Sequence, residues 1–126
     1  MILLPNGKAL AVGGNSGLNN GLLESAEIFD PGTGLWTPTG SLLTAREGPT
    51  ATLLANGKVL VTGGDQAKSG DILASAEIYD PLTGQWTAAG AMRNARVDHR
   101  AVLLSDGKVL VAGGFGHEDL PTNAEL

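Results

Sequence analysis

The chain has no cysteine among its 126 residues. A disulfide framework and any thiolate metal site are therefore excluded. It also lacks a surplus of basic charge: eight Lys and Arg stand against 13 Asp and Glu, for a net charge of −5. Phosphate recognition needs clustered positive charge, so nucleic acid is not an expected partner. No apolar run approaches the length that crosses a bilayer, and no membrane partner is expected. Signs of catalysis are missing too. There is no nucleophile–base pair or triad-like spacing, and Gly13-Gly14-Asn15 leads toward another strand where a phosphate-binding loop would feed a helix. The two histidines, His99 and His117, are too few ligands for zinc or copper by themselves. No catalytic residue, metal or cofactor is expected.

What the chain does have is glycine, 19 residues of it, and a repeat. Leu3–Gly14 (LLPNGKALAVGG) returns as Leu53–Gly64 (LLANGKVLVTGG) and as Leu103–Gly114 (LLSDGKVLVAGG), a step of 50 residues each time. Ser25–Pro31 returns as Ser75–Pro81, Trp36 as Trp86 and Arg46 as Arg96. A fixed period of this size signals stacked or ring-forming supersecondary units.

Each unit reads as four strands. Ile2–Leu4, Ala51–Leu54 and Ala101–Leu104 precede Asn-Gly or Asp-Gly, the pair favoured in two-residue type I′ hairpins. Lys8–Val12, Lys58–Thr62 and Lys108–Ala112 follow, apolar on consecutive residues as in a strand buried on both faces. Ala76–Tyr79, like Ala26–Phe29, is a third strand with one exposed carboxylate, Glu77 or Glu27. Asp80–Gly84 and Asp30–Gly34 are turns with Pro at the first corner and Gly in the left-handed position. The fourth strand carries the tryptophan. Two apolar faces per sheet call for neighbouring sheets packed face to face around an axis, a β-propeller.

Double glycine, Tyr79, Trp86 seven residues later and the period of 50 together resemble the kelch repeat. The resemblance implies an all-β fold: a kelch-type propeller of four-stranded antiparallel blades, about two and a half repeats long and therefore an incomplete ring. Repeat 1 spans 1–50, repeat 2 spans 51–100 and a partial repeat 3 spans 101–126, eleven strands in all. The remaining blades are expected from flanking chain, or from a second copy in a homodimer that closes a six-bladed ring.

Residues identical at the repeat step serve the architecture, and residues that differ are where a specific function can sit. Phe29, Tyr79, Trp36 and Trp86 are thus expected in the core. Arg46 and Arg96 recur in the links between blades, where the resemblance implies a ligand-facing rim; they either bond to loop carbonyls or meet a ligand. The loops after the double glycines, Asn15–Glu24, Asp65–Ala74 and Phe115–Asn123, face the same rim by that resemblance. Candidate binding residues are therefore Asn15, Asn19, Arg46, Glu47, Asp65, Gln66, Lys68, Arg96, Asp98, His99, Arg100, Phe115 and His117. Mixed polar groups with one aromatic suit a protein loop or a carbohydrate. The expected function is a non-catalytic binding scaffold. The alternative is a fragment of a kelch-propeller enzyme, galactose-oxidase-like or sialic-acid-mutarotase-like, with most catalytic groups outside this chain. Absence of the cross-linking Cys and the core position of Tyr79 count against the copper-radical version.

Overall fold

A computed structural model of the protein describes residues 1–17, 21–66 and 70–116. Every element among them is a β-strand. The first blade is β1 (Ile2–Leu3), β2 (Ala9–Val12), β3 (Ala26–Asp30) and β4 (Leu35–Pro38), antiparallel in that order. The second is β5 (Thr50–Leu53), β6 (Val59–Thr62), β9 (Ala76–Asp80) and β10 (Gln85–Ala88). Between β6 and β9 lies a small extra hairpin, β7 (Asp65–Gln66) with β8 (Asp71–Ile72). The third blade shows β11 (Arg100–Leu103) paired with β12 (Val109–Ala112). β5 lies against both β1 and β11, so the sheets stack through adjacent first strands. These are blades of an incomplete propeller. The eleven-strand count omitted the hairpin β7–β8, and the expected third strand of repeat 3 lies outside the described residues.

The hairpin turns differ from the expected type I′. Among the described non-glycine residues only Asp98 has positive φ, so Asn6 and Asn56 are not left-handed, while Gly7 (φ 81°), Gly57 (80°) and Gly107 (86°) are. Leu4 O accepts from Gly7 N at 3.0 Å and Leu4 N donates to Lys8 O at 2.8 Å, a tight turn with Pro5 at its first corner and Gly7 as the bulge. The asparagine works through its side chain instead: Asn6 Oδ1 accepts from Lys8 N at 3.1 Å, and Asn56 and Asp106 repeat this contact. The second turn is as expected. Asp80 Oδ1 accepts from Leu82 N at 2.9 Å, and Gly84 is left-handed at φ 71°.

The core is the junction of blades one and two: Leu4, Leu10, Ala26, Leu42, Val59, Val61, Tyr79 and Trp86. Tyr79 and Trp86 are directly paired across β9–β10, with ring centroids 5.0 Å apart. Both reach back to blade one. Tyr79 OH lies 2.7 Å from Thr39 Oγ1, and Trp86 Nε1 donates to Gly40 O at 2.7 Å. Phe29 and Trp36 keep the same ring pairing, yet Trp36 is 45 % exposed against 8 % for Trp86. The core expectation thus holds for Tyr79 and Trp86 and is corrected for Trp36, because no described part of the chain covers that face of blade one.

Candidate functional site

The link from β4 to β5 crosses between blades and carries Arg46, which is fully buried. Its guanidinium donates from Nη1 to Gly63 O at 2.8 Å and to Ser75 O at 3.1 Å. Nη2 donates to Ser75 Oγ at 3.2 Å and to Glu77 Oε1 at 2.7 Å. Glu77 also accepts from the link's own backbone, Leu43 N at 2.7 Å and Thr44 N at 3.1 Å. The carboxylate expected on the surface is therefore buried, at 2 % exposure, and joins the blades. Its counterpart Glu27 is exposed. Arg96 repeats the pattern one blade on, with Nη1 donating to Gly113 O at 2.8 Å.

His99 lies between blades two and three, at 1 % exposure. Its Nε2 is 2.8 Å from Thr50 Oγ1 and 3.0 Å from Thr62 Oγ1. Burial, and then the charge of Arg96, push its pKa down to about 4. Arg46, Arg96 and His99, expected among the binding residues, are buried at the blade junctions and make their hydrogen bonds there.

What remains forms a rim. Each link is stitched by backbone bonds to the loop after the next double glycine. Glu47 N donates to Asp65 O at 3.0 Å and Asp65 N to Glu47 O at 2.8 Å, while Val97 and Phe115 exchange bonds of 2.9 Å in the same way. Asn15 Nδ2 donates to Glu47 Oε2 at 3.0 Å, adding the first loop to this edge. Gly48 lies close to Val97 and Asp98, so successive links are neighbours. Asn15, Glu47, Asp65, Asp98 and Phe115 therefore converge on one edge of the stacked blades. Arg100 is exposed at the start of β11, and Gln66 belongs to β7 beside Asp65. Asn19, Lys68 and His117 lie outside the described residues.

The rim is acidic. Burial, then the nearby carboxylates of Glu47 and Asp98, hold the Asp65 carboxyl above its usual range. Asp65 Oδ1 is buried without a hydrogen-bond partner among the described residues. Asp98 has φ 56°, matching Gly48 (φ 62°) fifty residues earlier. The link requires a left-handed residue there; blade one uses glycine, and blade two accepts roughly 1 kcal/mol of strain to keep a carboxylate. Repeat comparison located Asp98 but could not show its strain, because Gly48 is merely a different residue in sequence.

The opposite edge carries a cavity of about 260 Å³ lined by Pro5, Asn6, Asn56, Gly57, Lys58, Asp80, Pro81 and Leu82. These belong to the hairpin turns, which the repeats largely share. Among the described residues no cluster of three or more His, Cys, Asp or Glu is arranged to hold a metal ion.

Stacked four-stranded meanders, with links and loops gathered at one edge, define a β-propeller segment. Comparison with protein families matches the Kelch motif at residues 4–43 and 49–93. The chain belongs to the kelch-repeat family, whose repeats generally mediate protein interactions. A search of curated proteins found no match.

Proposed function

We propose that the chain is a non-catalytic binding scaffold that engages a protein loop or a carbohydrate through the rim of Asn15, Glu47, Asp65, Gln66, Asp98, Arg100 and Phe115, with Asn19, Lys68 and His117 on the adjoining loops. The carrying observation is the fixed rungs Glu47–Asp65 and Val97–Phe115, which hold residues that differ between repeats on one rigid edge. A strained Asp98 and a partly buried Asp65 crowded by Glu47 and Asp98 are costs to stability, and such costs gather at binding surfaces. Carboxylates and an amide beside the exposed ring of Phe115 suit cationic or hydroxyl-rich ligands. The repeats proposed to build the scaffold are residues 1–50, 51–100 and 101–126.

The enzyme-fragment alternative finds no support of its own here. Tyr79 is fully buried against Thr39, and His99 is held between two threonines, so neither faces the rim. Probing the full chain against oligosaccharide and cationic-peptide arrays tests the proposal. A ligand whose affinity falls at least tenfold in Asp65→Ala and Phe115→Ala, with thermal stability kept, supports it. Ligands indifferent to both variants, or oxidase turnover with added copper, overturn it.

A further inference from the structure

The cavity on the edge away from the rim straddles the junction of blades one and two. The first hairpin turn of each blade forms one side of it, and the turn between β9 and β10 forms the other. Pro5 reaches across the junction, since a Cβ on Gly57 would meet the Pro5 ring at 3.8 Å.

Most of this lining recurs at the repeat step. Asn56, Gly57 and Lys58 match Asn6, Gly7 and Lys8, and Asp80-Pro81 matches Asp30-Pro31. Two residues do not recur. Pro5 is Ala55 and Ser105 in the other repeats, and Leu82 is Gly32. Neither is enclosed by the fold: Pro5 is exposed, and Leu82 is 95 % exposed. The turn itself does not need a leucine. Asp30 Oδ1 accepts from Gly32 N at 2.9 Å just as Asp80 Oδ1 accepts from Leu82 N at 2.9 Å. Packing therefore leaves Pro5 and Leu82 unexplained, and with Pro81 they give this junction an apolar lining.

The polar groups of the lining differ in what they have left to offer. The acceptors are engaged. Asn6 Oδ1 accepts from Lys8 N and Asn56 Oδ1 from Lys58 N, each at 3.1 Å, and Asp80 Oδ2 accepts from Lys58 Nζ at 3.0 Å. The donors are not. The bonds that fix Asn6 and Asn56 use only their oxygens and leave the amide N–H groups to donate, and Lys58 Nζ has three N–H groups of which Asp80 takes one. A lining of this kind suits carbonyl oxygens. A sugar hydroxyl must donate as well as accept, and no aromatic ring lines the cavity to stack on a sugar face. The volume of about 260 Å³ exceeds the roughly 150 Å³ that encloses benzene and falls below the range of about 300–1,000 Å³ typical of drug-sized ligands. It has room for one large side chain.

We propose that this cavity is a peptide-binding site, in which one large uncharged apolar side chain sits among Pro5, Pro81 and Leu82 while the carbonyls beside it accept from the amides of Asn6 and Asn56. The site is separate from the rim, and neither reading rests on the other.

The test titrates the full ¹⁵N-labelled chain with capped pentapeptides, acetyl-Gly-Gly-Xaa-Gly-Gly-amide, with Trp, Leu, Ala or Lys at Xaa. The Trp and Leu peptides are expected to shift the side-chain amide resonances of Asn6 and Asn56 and the backbone N–H of Leu82, and the Ala and Lys peptides to bind about fivefold more weakly or less. Leu82→Gly and Pro5→Ala borrow the residues that the chain itself uses fifty positions away, so the turns are kept. Each should weaken the Trp peptide about threefold or more, while Phe115→Ala on the rim leaves it unchanged. Absence of shifts with every peptide, equal shifts from the Ala peptide, or indifference to both turn variants overturns the proposal. Loss of the shifts in Phe115→Ala would put the peptide on the rim and refute it as well. If cellobiose moves the Asn6 and Asn56 amides and the Trp peptide does not, the occupant is a carbohydrate and the assignment to a peptide fails.

Discussion

Removing the Arg46 side chain is the most direct perturbation of the blade junction. Its guanidinium makes four contacts of 3.2 Å or shorter, to Gly63 O, Ser75 O, Ser75 Oγ and Glu77, and Nε adds a longer one to Thr44 O at 3.3 Å. In Arg46→Ala the Glu77 carboxylate stays buried with only Leu43 N and Thr44 N to balance it. Breaking a buried ion pair from one side costs about 3–5 kcal/mol, most of it the penalty of the stranded charge. That is a large part of the roughly 5–15 kcal/mol that holds a typical domain folded. Arg46→Lys should recover little, since an ammonium cannot span three acceptors with the planar fork. Urea unfolding followed by tryptophan emission reads the loss, and a cycle with Glu77→Gln should return a coupling of about 1–3 kcal/mol. Glu27→Gln supplies the internal control: same residue type and repeat position, but on an open face, so its effect should stay within about 0.5 kcal/mol. An Arg46→Ala loss under about 1 kcal/mol, or equal costs for Glu27→Gln and Glu77→Gln, would refute the claim that neighbour coverage sets the value of a repeated residue.

Trp86→Ala should cost about 3–5 kcal/mol, and Trp36→Ala distinctly less, in the same urea assay. Gly40→Ala should be severely destabilising, because a Cβ there would run into the Gly84 carbonyl, whereas its repeat partner Gly90 has open space around it and should accept Ala without loss of melting temperature. His99 titrates near 6.5 when unfolded and about 4 when folded. The unfolded chain therefore binds the extra proton, so stability falls as pH drops from about 6.5 and levels off below about 4; His99→Gln should flatten that segment of a pH–stability curve. For Asp65 the sign is reversed, because its folded pKa is raised. Its ionised form weakens the fold at neutral pH, so Asp65→Asn should raise the melting temperature at pH 7, with the gain vanishing in acid.

The architecture was legible because it is written more than once. Four strands per blade, the Asp-Pro…Gly turns and the burial of Tyr79 and Trp86 follow from local residue chemistry that recurs at a step of 50. The errors all lie where local chemistry is silent. Asn-Gly was read by its preference for one turn, while the Asn6 side chain stabilises another by accepting from Lys8 N. Glu77 was read as a surface carboxylate from its strand alone; its arginine arrives from 31 residues upstream, across the blade junction. His99 differs from Pro49 at the repeat step, which marked it as functional, yet it fills a space between Thr50 and Thr62 that only the stacked sheets create. The same comparison singles out Glu47, Asp65 and Phe115, and these stand on backbone bridges at the edge of the blades.

Difference between repeats is therefore a mixed signal, and burial separates its parts. Where a differing residue is enclosed, as His99 is, the variation reflects a junction solved in another way. Where it stands exposed beside a rung, as with Asp98 against Gly48, nothing in the packing demands the change. The left-handed backbone there favours glycine, and the carboxylate worsens the repulsion already felt at Asp65. A residue that costs stability twice, at a position whose repeat partner shows the cheaper solution, has to be explained by something outside the fold. Asp98→Gly should accordingly raise the melting temperature while weakening whatever ligand the rim engages, and a variant that raised both would leave that carboxylate without a purpose.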